Sequence, residues 1–74
     1  MRFTKSTLER HILEVNQELL QAGSTYSYKY GSRNGYHAVD LLQGEKVIRC
    51  LDCNESPRTL SFKLEDDYTF YLDK

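Results

Sequence analysis

Cys50-Leu51-Asp52-Cys53 is a C-x-x-C, the spacing of thiol redox pairs and of half a zinc site. A redox pair of this kind is normally set at a helix N-terminus, where the helix dipole favours the thiolate. Here Cys50 falls in a predicted strand, and Pro57 opens a helix several residues later. Zinc needs further ligands, and His11 and His37 are the chain's two histidines, without the close pair spacing of zinc modules. Two ordinary thiols, no metal and no cofactor are the expectation. Neither histidine stands beside a Ser or Cys nucleophile at a spacing known from catalytic motifs, and no paired carboxylates flank a predicted cleft. Gly23, Gly31, Gly35 and Gly44 read as caps and turns, without a phosphate-cradling pattern. No enzyme and no small-molecule substrate are expected.

The six tyrosines suggest a different chemistry, the stacking of unpaired bases. Whether they are free to stack depends on which way the elements turn them. Residues Ser6 to Ala22 read as one helix, with Ser6 and Glu9 as a capping box. Leu8, Ile12, Val15 and Leu19 form its apolar stripe, Leu13 and Leu20 broaden it, and Gly23 closes it. Tyr26, Tyr28 and Tyr30 then alternate with polar residues, as in a half-buried strand. Asn34-Gly35 and Gly44-Glu45 are hairpin loops, leaving strands of about Tyr36–Leu42 and Lys46–Leu51.

Those loops set a register. The first places Tyr30, Lys29 and Tyr28 opposite Val39, Asp40 and Leu41; the second places Leu41, Asp40 and Val39 opposite Ile48, Arg49 and Cys50. One sheet face therefore collects Tyr26, Tyr28, Tyr30, Val39, Leu41, Ile48 and Cys50 as core. The tyrosines are then core residues first and a stacking platform second. The opposite face collects a charge row, Lys29, Asp40 and Arg49, beside Tyr36, Ala38, Leu42, Val47 and Leu51. His37 has the parity of the core face, and His11 borders the helix stripe.

Ser56-Pro57 is an N-cap followed by proline at the first helical turn. Leu60, Leu64, Tyr68, Tyr71 and Leu72 continue as a helical stripe, although the same residues also alternate like two strands around Glu65-Asp66-Asp67. The start signal favours the helix. The fold class is thus α+β, in the order α-β-β-β-α: a single small domain over residues 1–74, a three-stranded antiparallel meander with two helices on one face.

Length and charge narrow the function further. A 74-residue chain has one core and little material for a deep cavity. Ten Lys and Arg against eleven Asp and Glu give a net charge of −1, which disfavours nucleic acid. No run approaches the ~18 apolar residues of a membrane span, and no signal-peptide core follows Met1-Arg2-Phe3-Thr4-Lys5. The cytoplasm is the expected location.

The α-β-β-β-α order resembles the double-stranded RNA-binding domain. That resemblance implies phosphate contacts through a basic cluster opening the second helix. The matching stretch here, Ser56 to Lys63, supplies Arg58 and Lys63, with Arg33 and Arg49 as further candidates, and the acidic Glu65-Asp66-Asp67 departs from the pattern. The polar first helix, the hairpin Tyr30-Gly31-Ser32-Arg33-Asn34-Gly35-Tyr36 and the helix opening Ser56-Pro57-Arg58 resemble short uncharacterised proteins of phages and conjugative elements in gut Bacteroidetes. That likeness implies a mobile-element context. The residues themselves favour a non-catalytic module that binds a protein partner, or itself as a homodimer, through the open sheet face. Its contact residues would be Tyr36, Ala38, Leu42, Val47 and Leu51, with Lys29, Asp40 and Arg49 setting register. A nucleic-acid binder is the alternative.

Overall fold

The computed structural model describes residues 2–72. Helix α1 (Lys5–Gln21) leads into strands β1 (Tyr26–Arg33), β2 (Tyr36–Gln43) and β3 (Lys46–Asn54). Helix α2 (Pro57–Tyr68) and a 3-10 turn (Thr69–Tyr71) follow. The strands form one antiparallel sheet in the order β1-β2-β3, so the fold is α-β-β-β-α with an open sheet.

The stripe of α1 buries Leu8, Ile12, Val15 and Leu19 against Tyr28, Val39, Leu41, Leu60 and Leu64. Leu13 and Leu20 do not extend it; they are 64% and 76% exposed. The helix start also differs from the Ser6–Glu9 box. Thr4 is the N-cap, and Thr4 and Thr7 exchange side-chain to backbone hydrogen bonds. Phe3 explains the earlier start. It packs on the core one residue before the cap, with Leu8 four positions into the helix, which are the two positions of a hydrophobic staple. At the other end the Ser24 N–H reaches back to the Leu19 carbonyl at 2.9 Å, and Gly23 takes the left-handed conformation that this closure requires, φ +78°.

Asn34 and Gly35 both adopt positive φ, 54° and 81°. This is the mirror-image turn whose twist suits a two-residue hairpin. It fixes the β1–β2 register, in which Tyr28 faces Leu41, Lys29 faces Asp40 and Tyr30 faces Val39. Gly31 is an interior residue of β1, not a turn residue.

The β2–β3 pairing departs from the even ladder. The Gly44-Glu45 loop holds, with Gln43 opposite Lys46 and Leu42 opposite Val47. The register then shifts twice, so that Leu41 faces Arg49, Asp40 faces Cys50, Val39 faces Asp52 and Ala38 faces Cys53. Ile48 and Leu51 are thus extra residues, each a β-bulge that turns the following side chains to the other face. Four expectations are overturned as a result. Cys50 leaves the core face, Ile48 is 44% exposed, Leu51 packs against the core instead of lying outside it, and Arg49 leaves the open face.

Helix α2 begins where Ser56-Pro57 predicts, with the Ser56 hydroxyl accepting from the Thr59 N–H. Leu60 and Leu64 are buried, and Tyr68, Tyr71 and Leu72 pack at the core's margin, so the helical reading of this segment holds and the strand reading does not. Both helices lie on the same side of the sheet, in a body of 32 × 27 × 16 Å. The short dimension leaves room for two layers only, one of helix and one of sheet.

Candidate functional site on the open sheet face

The face turned away from the helices is narrower and more polar than the even ladder implied. Lys29, Tyr36, Ala38, Asp40, Leu42 and Val47 keep the predicted side, while the bulges remove Arg49 and Leu51 and bring in Cys50, and the extension of β3 to Asn54 adds Cys53. Tyr36 and Val47 are about half exposed, and Leu42 is partly so. Ala38 is wholly buried and offers no contact surface. The rungs explain why. Arg33 with Tyr36, Gly31 with Ala38, and Lys29 with Asp40 are successive rungs on this face. One Arg33 guanidinium nitrogen lies 2.8 Å and 2.9 Å from the two Asp40 oxygens, hydrogen-bonded to Oδ2. That ion pair crosses the middle rung, where Gly31 has no side chain to obstruct it, and roofs Ala38.

The predicted row Lys29–Asp40–Arg49 is therefore not a row. Asp40 pairs with Arg33, and Arg49 turns to the helix side. There its guanidinium donates to Asp67 Oδ1 at 2.8 Å and to the Tyr71 hydroxyl at 3.2 Å. The buried Tyr28 hydroxyl donates to the other Asp67 oxygen at 2.6 Å. Burial first, then the hydrogen bond to Asp67, push the Tyr28 phenol well above its ordinary range. The hydrogen bond to Asp67 likewise raises Arg49. Asp67 is thus a node joining β1, β3 and α2.

The cations proposed for phosphate are similarly engaged. Arg33 and Arg49 are paired as above, and Lys63 lies 2.9 Å from Asp52 Oδ2. The hydrogen bond from Lys63 lowers the Asp52 carboxyl below its usual value. Arg58 sits over the Phe3 ring, 6.0 Å from its centroid. Three of the four candidates already hold carboxylates, and no basic track joins them.

Both sheet edges are guarded. On β1, the Asn16 side chain of α1 donates to the Tyr28 carbonyl at 2.9 Å and accepts from the Tyr28 N–H at 2.8 Å. A side-chain amide thereby occupies the place a neighbouring strand would take. On β3, two bulges interrupt the flat run of backbone groups that another chain could extend.

The histidines contribute a contact that sequence spacing did not reveal. His11 Nδ1 hydrogen-bonds Ser61 Oγ, and His11 Nε2 lies 2.6 Å from Glu65 Oε2. A serine and an acid flank the imidazole as in a Ser-His-acid triad, with the two ring nitrogens exchanged relative to that triad; Ser61 lies 50 positions from His11, outside any catalytic sequence spacing. Ser61 and Glu65 are i and i+4 on α2, which carries them together onto α1. That α2 spacing was the available signal. Ser61 is buried in the interior of α2, facing α1. The chain of bonds ties α1 to α2. His37 has the predicted core-side parity and accepts from or donates to the Tyr30 hydroxyl at 2.6 Å.

Among the described residues, no group of three or more His, Cys, Asp or Glu is placed to hold a metal ion, and no helix is long and apolar enough to cross a membrane. No protein-family model, curated protein or solved structure matches the chain.

Proposed function

We propose that this domain is a non-catalytic interaction module that binds a protein, another chain or a second copy of itself, through the open sheet face. The observation that carries the reading is the one-sided packing of the helices. It leaves a sheet face bearing Tyr36 at one end and the Leu42–Val47 pair at the other, with the Arg33–Asp40 ion pair between. Interfaces usually set an apolar centre inside a polar rim; here two apolar ends flank an ion pair that would set orientation. The guarded edges favour docking on the face over strand addition.

Three strands ~4.8 Å apart and eight or so residues long present roughly 400 Å². This is about half the area per partner of a standard interface, so the association is expected to be weak and exchanging. Sedimentation velocity over a concentration series tests the self-binding form. A concentration-dependent shift abolished by Leu42→Lys with Val47→Lys would support it. A shift that the double variant leaves intact would place the contact elsewhere.

The nucleic-acid reading rests on topology alone. The net charge of −1 and the engagement of Arg33, Arg49 and Lys63 by carboxylates weigh against it. It predicts salt-sensitive duplex binding weakened by Arg58→Glu, and absence of such binding at low salt removes it.

A further inference from the structure

In an even strand, residues i and i+3 point to opposite faces and stand ~10 Å apart. Cys50 and Cys53 violate that rule because Leu51 is the extra residue of a bulge. Cys50 pairs with Asp40 and Cys53 with Ala38, which are neighbours on one face of β2. The two thiols consequently share the open face, with their sulfurs 3.7 Å apart. Cys53 is exposed and Cys50 half-buried. An open depression of about 440 Å³, lined by Tyr36, Cys53, Asn54 and Glu55, gives small molecules access to the outer thiol.

We propose that Cys50 and Cys53 are a thiol–disulfide exchange site that closes to an intramolecular disulfide with low-molecular-weight disulfides such as glutathione disulfide. The deprotonated Cys53 sulfur attacks one sulfur of the small disulfide, forming a mixed disulfide and expelling one small thiolate. Cys50 then loses its proton and attacks the Cys53 sulfur, forming the Cys50–Cys53 bond and expelling the second small thiolate. The two protons lost by the cysteines end on the two leaving thiolates. The two electrons pass from the cysteine pair to the small disulfide, which leaves as two thiols.

The order of attack follows from the geometry. The oxidant meets Cys53 first because that thiol is at the surface. Burial, then the hydrogen bond to Cys53, push the Cys50 thiol up, with Asp40 adding to the effect and Arg33 opposing it. Cys50 therefore keeps its proton until the mixed disulfide brings an electrophilic sulfur beside it. The sulfurs must close from 3.7 Å to the ~2.05 Å of a disulfide, a distance that side-chain rotation can cover with the bulge already in place. Two thiols without a third ligand among the described residues suit this exchange better than zinc.

The test is equilibration of the native chain in glutathione redox buffers, acid quenching, alkylation and intact mass measurement. The expected product is lighter by two hydrogens and carries no glutathione, because the mixed disulfide is resolved by Cys50 faster than it accumulates. Cys50→Ser should instead accumulate a single glutathione adduct on Cys53, and Cys53→Ser should react more slowly than Cys50→Ser. The constant for disulfide closure should be roughly tenfold larger in the native chain than in urea, because the bulge preorganises the pair. Two independent glutathione adducts on the wild type, disulfide-linked dimers as the main product, or equal closure constants in native and urea-unfolded chain would overturn the proposal.

Discussion

Asn16→Ala removes the side chain that closes the β1 edge, and its cost can be worked from two distances. The Asn16 amide makes 2.8 Å and 2.9 Å hydrogen bonds with the Tyr28 N–H and carbonyl, both part-buried. Each such bond contributes about 1 kcal/mol net, and somewhat more where a backbone group is left without water or partner. The loss should be about 2 kcal/mol. A 74-residue domain is expected to have roughly 4–11 kcal/mol in total, so this single side chain carries a sizeable share. With a urea dependence near ~1 kcal/mol per M, the unfolding midpoint should fall by about 2 M. Asn16→Asp gives a sharper check, because it keeps the acceptor for the Tyr28 N–H but sets an oxygen against the Tyr28 carbonyl. It should do no better than alanine. Gln17→Ala, on the exposed side of the same helix, should change little. The same variants followed at rising concentration should show new self-association for Asn16→Ala only, since its β1 edge is open. A midpoint shift below about 0.5 M for Asn16→Ala would refute the claim that this amide stands in for a strand.

Tyr28→Phe and Arg49→Met should be non-additive in a double-mutant cycle read by urea unfolding, because both groups bind Asp67. Strict additivity would mean that Arg49 points to the open face, as in a ladder without bulges. The Asp52 carboxyl, lowered by Lys63, should titrate by NMR below its ordinary 3.8 in the folded chain. Its folded pKa lies below its unfolded one, so its contribution is present above about pH 4 and is lost as pH falls through the folded value. Half exposure of Lys63 keeps that contribution to about 0.5 kcal/mol. Lys63→Met should abolish the downward shift, and a shift that survives would assign it to another cause. His11→Ala should destabilise the α1–α2 contact by about 1–2 kcal/mol in thermal or urea unfolding, since Ser61 loses its buried partner; an unchanged midpoint would mean that the bond chain has no structural role.

The first hairpin was legible because its specification is local. Asn34-Gly35 permits one turn, the turn permits one register, and the tyrosine alternation agrees with it. Helix α2 was legible for a similar reason, since Ser56-Pro57 outweighs the strand-like alternation that follows. The β2–β3 pairing was not. Its loop is as clear as the first, but Ile48 and Leu51 leave the ladder without any residue-type signal such as glycine. Tertiary partners decide the matter: the first bulge lets Arg49 reach Asp67, the second restores Asp52 to the helix side where it meets Lys63 of α2, and Leu51 joins the core. Two of the residues assigned to the open face moved for that reason, and the cysteine pair came to occupy the same face. Ala38 failed differently, through a diagonal ion pair that a rung-by-rung reading does not foresee. The i, i+4 spacing of Ser61 and Glu65 shows that they share a face of α2, but their partner His11 lies 50 or more residues away, a separation at which spacing does not identify it.

Docking through the open sheet face can be read out by comparing three immobilised proteins against nuclease-treated cell lysate and against free chain. These are the wild type, Leu42→Lys with Val47→Lys on the sheet, and Leu13→Lys with Leu20→Lys on the exposed side of α1. The sheet pair should lose retained protein by roughly tenfold or more while the helix pair matches wild type. Retention unchanged in the sheet pair but lost in the helix pair would contradict it and move the contact to α1.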